Sequence, residues 1–349
     1  MTKVQAEKNW ATVMTIGLIK DRKIRVEFAN NLRGLAILGV LACHYLGIFW
    51  NEREVASRFA NFPYLDPAVY PSPRWIQIIP DVDWFDLGAV SVGLFFIISG
   101  FVIPFGLPSA TRTSFFIGRF LRLYPTYIAG FLVSLLSLKF AAMIFATEFP
   151  HGIRAVLPHF VPGIHDLLFA RPIDGVIWTL EIEIKFYFIC MVVMPLFRQK
   201  SLKDFYIPLF LSAAQLYLFL YSGRIDFEYS KLFSFNASYL TFIFIGVAGH
   251  YAYERLISQH EALLLSSFLL TSFIWQLKNY PEPALYRSAA SYLLSFALFC
   301  IAYKLPRFFE NNACLTFFAN ISFPLYASHG LFGYAFMAYL LASGYNNNV

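Results

Sequence analysis

The stretch DLGAVSVGLFFIISGFVIPFG, residues 86–106, decides the class of protein to which this chain belongs. Its only charged residue is Asp86, at the first position. A helix needs about 20 mainly apolar residues to cross the hydrocarbon core of a bilayer. This run therefore predicts a membrane-spanning helix.

Eight further segments of similar character recur outward from this run. They lie at about 32–50, 124–146, 176–197, 205–222, 237–253, 262–277, 288–304 and 317–342. We therefore expect an all-α fold, a polytopic transmembrane helix bundle of about nine spans over residues 31–349, after a cytoplasmic N-terminal arm at 1–30. The composition agrees, because 14% of the residues are charged, against about 25% in a typical soluble domain.

The basic residues give a formal net charge of +6, but they fall mainly between the apolar runs. They form no patch interleaved with aromatics, so the charge does not predict a nucleic-acid partner. With a cytoplasmic N-terminus, 15 of the 27 Lys and Arg residues lie on the cytoplasmic side and nine on the opposite side. The excess of basic residues on cytoplasmic loops of membrane proteins predicts this orientation.

Nine spans from a cytoplasmic start would place the C-terminus outside. The short polar tail at 345–349 resembles a loop between helices more than a natural end. We therefore expect that one further span is missing from this chain.

Two ionisable side chains lie inside the first span. Arg33 and His44 are 11 residues apart, which places them on one helix face at about 16 Å separation. Ionisable groups inside a membrane are costly and often functional. Arg33 could instead extend to the cytoplasmic interface, and a neighbouring hydroxyl could satisfy His44, so both interpretations stay open.

The fourth span carries three charged residues, Glu181, Glu183 and Lys185. Glu181 and Lys185 have the i, i+4 spacing that predicts mutual neutralisation. Glu183 points about 200° away from Glu181 and has no partner in its own helix. Counted from the outer ends of their spans, Glu183 and His44 both lie about 9–12 Å deep. We therefore expect them to meet if the two helices are neighbours.

Three other signals are weaker when each is taken alone. Arg119 and Arg122 share a helix face before the third span, where two guanidinium groups suit a phosphate, although ordinary membrane anchoring explains such pairs equally well. His329 places a second histidine in the last span. The small residues between Gly93 and Phe101 predict close helix packing.

In their order along the chain, these segments resemble the motifs of the acyltransferase 3 family. The matching positions are Arg33-Gly34-Leu35 with His44, Phe95 to Phe101, Arg119 and Arg122 with Tyr124-Pro125, Trp178-Thr179-Leu180 with Glu183 and Phe186-Tyr187, and Ser322, Leu325, Tyr326 and His329. The chain departs from the pattern at Gly93, where many members have Asp, and at Ile184, where many have a second Glu. Members usually have ten spans with both ends cytoplasmic.

The resemblance implies a membrane acyltransferase of the bacterial inner membrane. Such a protein moves an acyl group, commonly acetyl, from cytoplasmic acyl-CoA to a hydroxyl of a carbohydrate or glycolipid on the outer face. We expect no metal, and the oligomeric state stays open. A transporter or flippase, or an inactive homologue that binds acyl-CoA without turnover, are the alternatives.

The resemblance also suggests roles for individual residues. His44 and Glu183 would be catalytic, with His44 acting either as a base or as an acylated carrier. Arg33, Arg119 and Arg122 would bind the phosphates of acyl-CoA. The candidates for positioning substrates are Trp178, Ser99, Tyr326 and His329. Residues of the two long loops, 51–85 and 147–175, would bind the acceptor, because aromatic residues such as Trp75 and Trp84 suit the faces of sugars.

Overall fold

Long helices account for most of the chain in the computed structural model, which describes residues 26–77, 83–163, 165–221, 227–277 and 282–344. All regular secondary structure in these ranges is helical, which confirms the predicted class. In chain order the longer helices are α1 (Glu27–Asn51), α2 (Leu87–Val102), α3 (Arg112–Ile144), α4 (Ile177–Val192), α5 (Tyr206–Leu220), α6 (Phe227–Tyr253), α7 (Gln259–Gln276), α8 (Glu282–Lys304), α9 (Ala313–Asn320) and α10 (Ser322–Ala342).

Short helical turns occupy the connections. They are Arg53–Ala60, Arg74–Gln77, Ile103–Gly106, Ile153–Val156, Leu157–Phe160, Asp166–Leu168, Met194–Gln199, Leu202–Phe205 and Pro306–Phe308. The two long loops predicted at 51–85 and 147–175 therefore contain local structure. The side chain of Trp75 lies outside the described part, as do residues 1–25 of the predicted arm and the tail 345–349.

Five helices in the described ranges are long and apolar enough to cross a membrane. They are Glu27–Asn51, Leu87–Gly106, Arg112–Ile144, Glu228–Tyr253 and Ala284–Lys304. The protein is therefore built as an integral membrane protein, while the total of nine spans stays a prediction.

Helix α3 begins 12 residues before the predicted start of the third span. Thr111 and Ser114 form a capping box that satisfies free backbone N–H groups of the first turn. The resulting 33-residue helix is about 50 Å long, whereas the hydrocarbon core of a bilayer is about 30 Å thick. Its first turns, which carry Arg119 and Arg122, can therefore extend beyond the hydrocarbon.

The last predicted span, 317–342, is interrupted. Helix α9 ends at Asn320, Ile321 leaves the helical conformation, and α10 restarts at Ser322. Pro324 follows immediately, and because proline has no backbone N–H it cannot bond the carbonyl of residue 320 as a continuous helix would require.

Helix α2 lies at the centre of the bundle and packs against α1, α6 and α8. Its crossing with α6 depends on two glycines, because a Cβ atom at Gly100 would lie 2.0 Å from the backbone oxygen of Ile243 and one at Gly246 would lie 2.0 Å from that of Ile97. The small residues therefore allow two helix backbones to touch, as expected for membrane helices. Elsewhere α3 packs against α10, and α9 against α1.

Candidate active site

A cavity of about 320 Å³ lies between α1, α2, α3, α4 and the α9–α10 break. Its polar lining combines cations, one carboxylate and hydroxyl groups, from Arg33, Ser99, Arg119, Arg122, Thr126, Thr179, Glu183, Tyr187, Asn320, Ser322 and Tyr326. Apolar side chains of α2 and of the other lining helices complete the wall. Five separate parts of the chain therefore build one polar compartment inside an otherwise apolar bundle.

One face of α4 supplies the carboxylate side of this cavity. Thr179, Glu183 and Tyr187 follow one another at four-residue spacing, which aligns them on one helix face. The Glu183 carboxylate accepts a hydrogen bond of 3.1 Å from Ser99 Oγ and another from the Tyr187 hydroxyl, both at Oε1. The hydroxyls of Thr179 and Tyr326 are 2.7 Å apart. Glu183 is thus held by two hydroxyl donors rather than by a cation.

Three guanidinium groups face this carboxylate across the cavity. Arg33 is half-buried on α1 and interacts electrostatically with Arg122, Glu183 and Arg119. Arg119 lies over the rings of Phe115 and Tyr187, 5.6 Å and 5.9 Å from their centroids. Within the described ranges none of the three arginines forms an ion pair with a carboxylate. The lining therefore carries more positive than negative charge, which suits an anionic ligand.

His44 lies in a separate cluster, in a π-helical segment of α1, Cys43–Ile48. Its Nδ1 is 2.5 Å from the hydroxyl of Tyr334 on α10. Its ring meets the ring of His329 edge-on, with centroids 4.7 Å apart. Tyr45 donates a 2.8 Å hydrogen bond to the backbone oxygen of His329. Because π-helical segments often occur at functional sites, this geometry keeps His44 a strong candidate.

Tyr326 connects the histidine cluster to the cavity. Tyr326 lines the cavity, its ring lies 5.8 Å from that of His329, and its backbone oxygen is 2.9 Å from His329 Nδ1. No hydrogen bond or ion pair joins His44 to Glu183 in the described part of the chain. The two predicted catalytic residues therefore lie in adjoining compartments rather than in direct contact.

The predicted pairing of Glu181 with Lys185 is wrong. Lys185 Nζ instead bonds both carboxylate oxygens of Asp166, at 2.9 Å and 2.8 Å. Glu181 accepts from the backbone N–H of Asp166, and its Oε1 is 3.9 Å from His165 Nδ1. The long loop 147–175 returns into the bundle and supplies these partners. Spacing within one helix could not reveal an acid that the preceding loop provides.

This loop network also fixes the charge of Asp166. Burial alone would raise its pKa, but hydrogen bonds from Lys185 and Asn236 outweigh burial, so its pKa is lowered overall. Asn236 Nδ2 donates to Asp166 Oδ2 at 2.9 Å and ties the loop to α6. The network is therefore a structural clasp that joins the loop, α4 and α6.

The remaining predicted site residues divide between these regions. Ser99 and Tyr326 line the cavity, whereas Trp178 packs on the rings of Phe96 and Tyr239 and is not part of the cavity lining. Trp84 is exposed. In the part of the chain that the structure describes, no group of three or more His, Cys, Asp or Glu side chains is arranged to hold a metal ion.

Sequence reasoning left several residues of these clusters without a role, among them Thr179, Tyr187 and Tyr334. Thr179 and Tyr187 could have been found, since each lies four residues from Glu183. Tyr334 is 290 residues from His44 along the chain, and no local pattern indicates their contact.

The family model of the acyltransferase domain matches residues 26–349, almost the whole chain. The chain belongs to the acyltransferase 3 family. The match includes every residue of the cavity and of the histidine cluster. No curated protein and no solved structure matches the chain. Membership in this family supports a membrane acyltransferase, with an acyl donor and an acceptor as substrates.

Proposed function

We propose that this acyltransferase moves an acyl group, acetyl in the first instance, from cytoplasmic acyl-CoA to a hydroxyl of a carbohydrate or glycolipid on the outer face of the membrane. The observation that carries the proposal is the cavity in which Arg33, Arg119 and Arg122 face a single carboxylate, Glu183. A polar cavity with excess cations inside a membrane bundle suits a large anionic donor.

The three arginines form the donor end of this site. A guanidinium group binds phosphate oxygens through paired N–H donors and keeps its charge at all physiological pH values. Arg122 is exposed and Arg119 half-buried, so the pair can hold the CoA phosphates at the membrane surface while Arg33 reaches them from α1. The thioester arm then extends into the cavity past Ser99 and Tyr326.

The transfer step falls to the deeper groups. His44 is the catalytic histidine, and Glu183 is the catalytic carboxylate that balances charge developing in the cavity. Ser99, Tyr326 and His329 position the substrates, since all three contact either the carboxylate or the histidine cluster. Trp178 acts behind the cavity wall, by fixing α4 against α2 and α6.

The same proposal includes the topology. The chain spans the bacterial inner membrane about nine times with its N-terminus cytoplasmic, because this orientation places the basic residues near the start of α3 and the end of α8 on one side. The cavity's arginines then face the compartment that holds acyl-CoA. The loop 147–175 and the exposed Trp84 face outward, where the acceptor is found.

The experiment measures free CoA thiol after acetyl-CoA is added to liposomes containing the protein, with methyl glucoside, methyl galactoside or methyl N-acetylglucosaminide as the acceptor. We expect acceptor-dependent thiol release and radiolabelled acetyl ester on the glycoside. His44→Ala should abolish both, whereas His260→Ala, an exposed histidine on α7, should leave both unchanged. Acetyl-CoA binding without thiol release would contradict an enzymatic function and support the inactive homologue.

A further inference from the structure

The hydrogen-bond partners of the two histidines in the cluster assign them different tautomers. His329 Nδ1 is 2.9 Å from the backbone oxygen of Tyr326. A carbonyl oxygen only accepts hydrogen bonds, so Nδ1 of His329 must carry the hydrogen. In a neutral imidazole the other nitrogen, Nε2, then holds a free lone pair. His329 Nε2 is buried and has no hydrogen-bond partner within the described ranges.

His44 has the opposite arrangement. Its Nδ1 is 2.5 Å from the Tyr334 hydroxyl, and the described residues offer that hydroxyl no other hydrogen-bond partner. The hydroxyl hydrogen is therefore satisfied when Tyr334 donates to His44 Nδ1. His44 then carries its own hydrogen on Nε2. One imidazole thus offers a lone pair and its neighbour offers an N–H.

We propose that His329 Nε2 is the general base of the transfer and that His44 Nε2–H hydrogen-bonds the carbonyl oxygen of the acyl group. This assignment rests on the proposed function and extends the role of His329 from positioning substrates to catalysis. The rings meet edge-on, with centroids 4.7 Å apart, so one acyl group can contact both. Tyr326 lines the cavity that would hold the donor, and its ring lies 5.8 Å from that of His329.

The chemical step balances without a further reactant. The acceptor oxygen attacks the thioester carbonyl while His329 Nε2 takes the hydroxyl proton, and a C–O bond forms. The carbonyl oxygen gains negative charge, which the N–H of His44 stabilises. The C–S bond then breaks, and protonated His329 returns the proton to the leaving CoA thiolate. The products are the acyl ester and free CoA, and His329 ends as it began.

Local packing keeps these two roles distinct. Tyr45 donates to the backbone oxygen of His329 at 2.8 Å and thereby holds α10 against α1 at the level of the rings. Among the residues that the structure describes, no carboxylate and no Lys or Arg bonds either imidazole. The other titratable groups around the pair are Tyr45, Tyr326 and Tyr334, and Tyr334 also interacts electrostatically with Cys43 and Glu52.

The test compares the pH dependence of kcat/KM for methyl glycoside acylation in His329→Gln and His44→Gln. A general base must be unprotonated, so wild-type activity should fall toward acid pH. In His329→Gln the rate should be lower by about 10²–10⁴-fold, and activity should no longer decrease toward acid pH. In His44→Gln the rate should be lower by about 10²–10³-fold, and activity should still decrease toward acid pH. His260→Gln is the matched control and should reproduce the wild-type profile.

Each outcome bears on the assignment. The assignment of the two histidines is overturned if the decrease of activity at acid pH persists in His329→Gln, disappears in His44→Gln, or is absent from the wild type. None of these three outcomes would contradict the acyltransferase function. No thiol release by the wild-type protein would overturn the proposed function instead. If His329→Gln fails to elute as a single folded species, the profile of His44→Gln decides. Tyr334→Phe should lower the rate about 10-fold and keep the loss of activity at acid pH, because only the orientation of His44 is weakened.

Discussion

Two faces of α4 carry charges only two residues apart, yet their surroundings differ completely. On one face Lys185 is paired with Asp166, and Glu181 accepts a backbone N–H from the same loop. On the other face Glu183 accepts hydrogen bonds from two hydroxyl groups. It lines the same cavity as three arginines, which have no carboxylate partner in the described ranges.

The comparison distinguishes charges that stabilise the fold from charges that have no opposite charge bonded to them and can bind a ligand. A buried charge is costly unless it is paired and hydrogen-bonded, and the clasp at Asp166 meets that condition inside the protein. The cavity has an excess of cations, so an anion from outside would complete it. Mutations on the two faces should therefore affect different measurements.

In the comparison of the two faces of α4, the largest effect is expected from Glu183→Gln. The amide oxygen can still accept from Ser99 and Tyr187, so folding should be preserved, but the negative charge is lost. We expect kcat for acyl transfer to fall about 10²–10³-fold with little change in melting temperature. Activity near that of the wild type would remove Glu183 from the mechanism.

A contrasting result is expected from Lys185→Met on the opposite face. This change leaves Asp166 without its cation, and because both side chains are mostly buried, with 20% and 18% exposed, we expect a loss of about 2–3 kcal/mol of stability. Thermal unfolding in detergent measures it. The double variant Asp166→Asn/Lys185→Met should recover part of the loss, whereas activity per folded molecule should stay close to wild type in both. A loss of kcat with unchanged stability would erase the distinction between the faces.

A smaller effect on donor binding is expected from Arg122→Ala. Loss of one phosphate contact should raise KM for acetyl-CoA about 10-fold while kcat at saturation changes little. Arg112→Ala is the matched control, since Arg112 begins the same helix and is not among the cavity lining. Equal effects of the two substitutions would point to a general surface potential rather than a specific phosphate contact.

Much of this architecture was predictable from the sequence. Apolar runs of about 20 residues locate the helices, and the small residues around Ser99 and Gly100 predict a close crossing. The ends of the helices were harder to predict. The start of α3 depends on the cap at Thr111, and the break at Ile321 depends on the missing N–H of Pro324. Such features depend on single residues, and the mean hydropathy of a run does not reveal them.

Within the site, helical geometry predicted which side chains lie on different faces of a helix, but it did not predict their partners. Placing Glu183 apart from Glu181 follows from helical geometry, and the structure keeps them on separate faces. The partner of Lys185 comes from a loop 19 residues away, and the partner of His44 comes from the last helix. These contacts depend on how the helices are arranged, which hydrophobic periodicity does not specify.

The smallest expected effect concerns the pH dependence of the clasp. The pKa of Asp166 is lower in the folded protein than in the unfolded chain, chiefly because Lys185 and Asn236 overcome the effect of burial. The folded state therefore favours ionised Asp166. Its stabilising contribution is complete above the ordinary Asp pKa of about 4 and is lost as the pH falls through the lowered folded-state value.

Melting temperatures of the wild type and Asp166→Asn across this acid range test the relation. At neutral pH the variant should be less stable, and the two curves should converge as the pH falls below about 4. Asp66→Asn is the control, because Asp66 is exposed and its difference from the wild type should stay small throughout. A constant gap between wild type and Asp166→Asn would mean that the ionised form contributes nothing, so the clasp would depend on hydrogen bonding alone and the contrast between the two faces of α4 would lose its electrostatic basis.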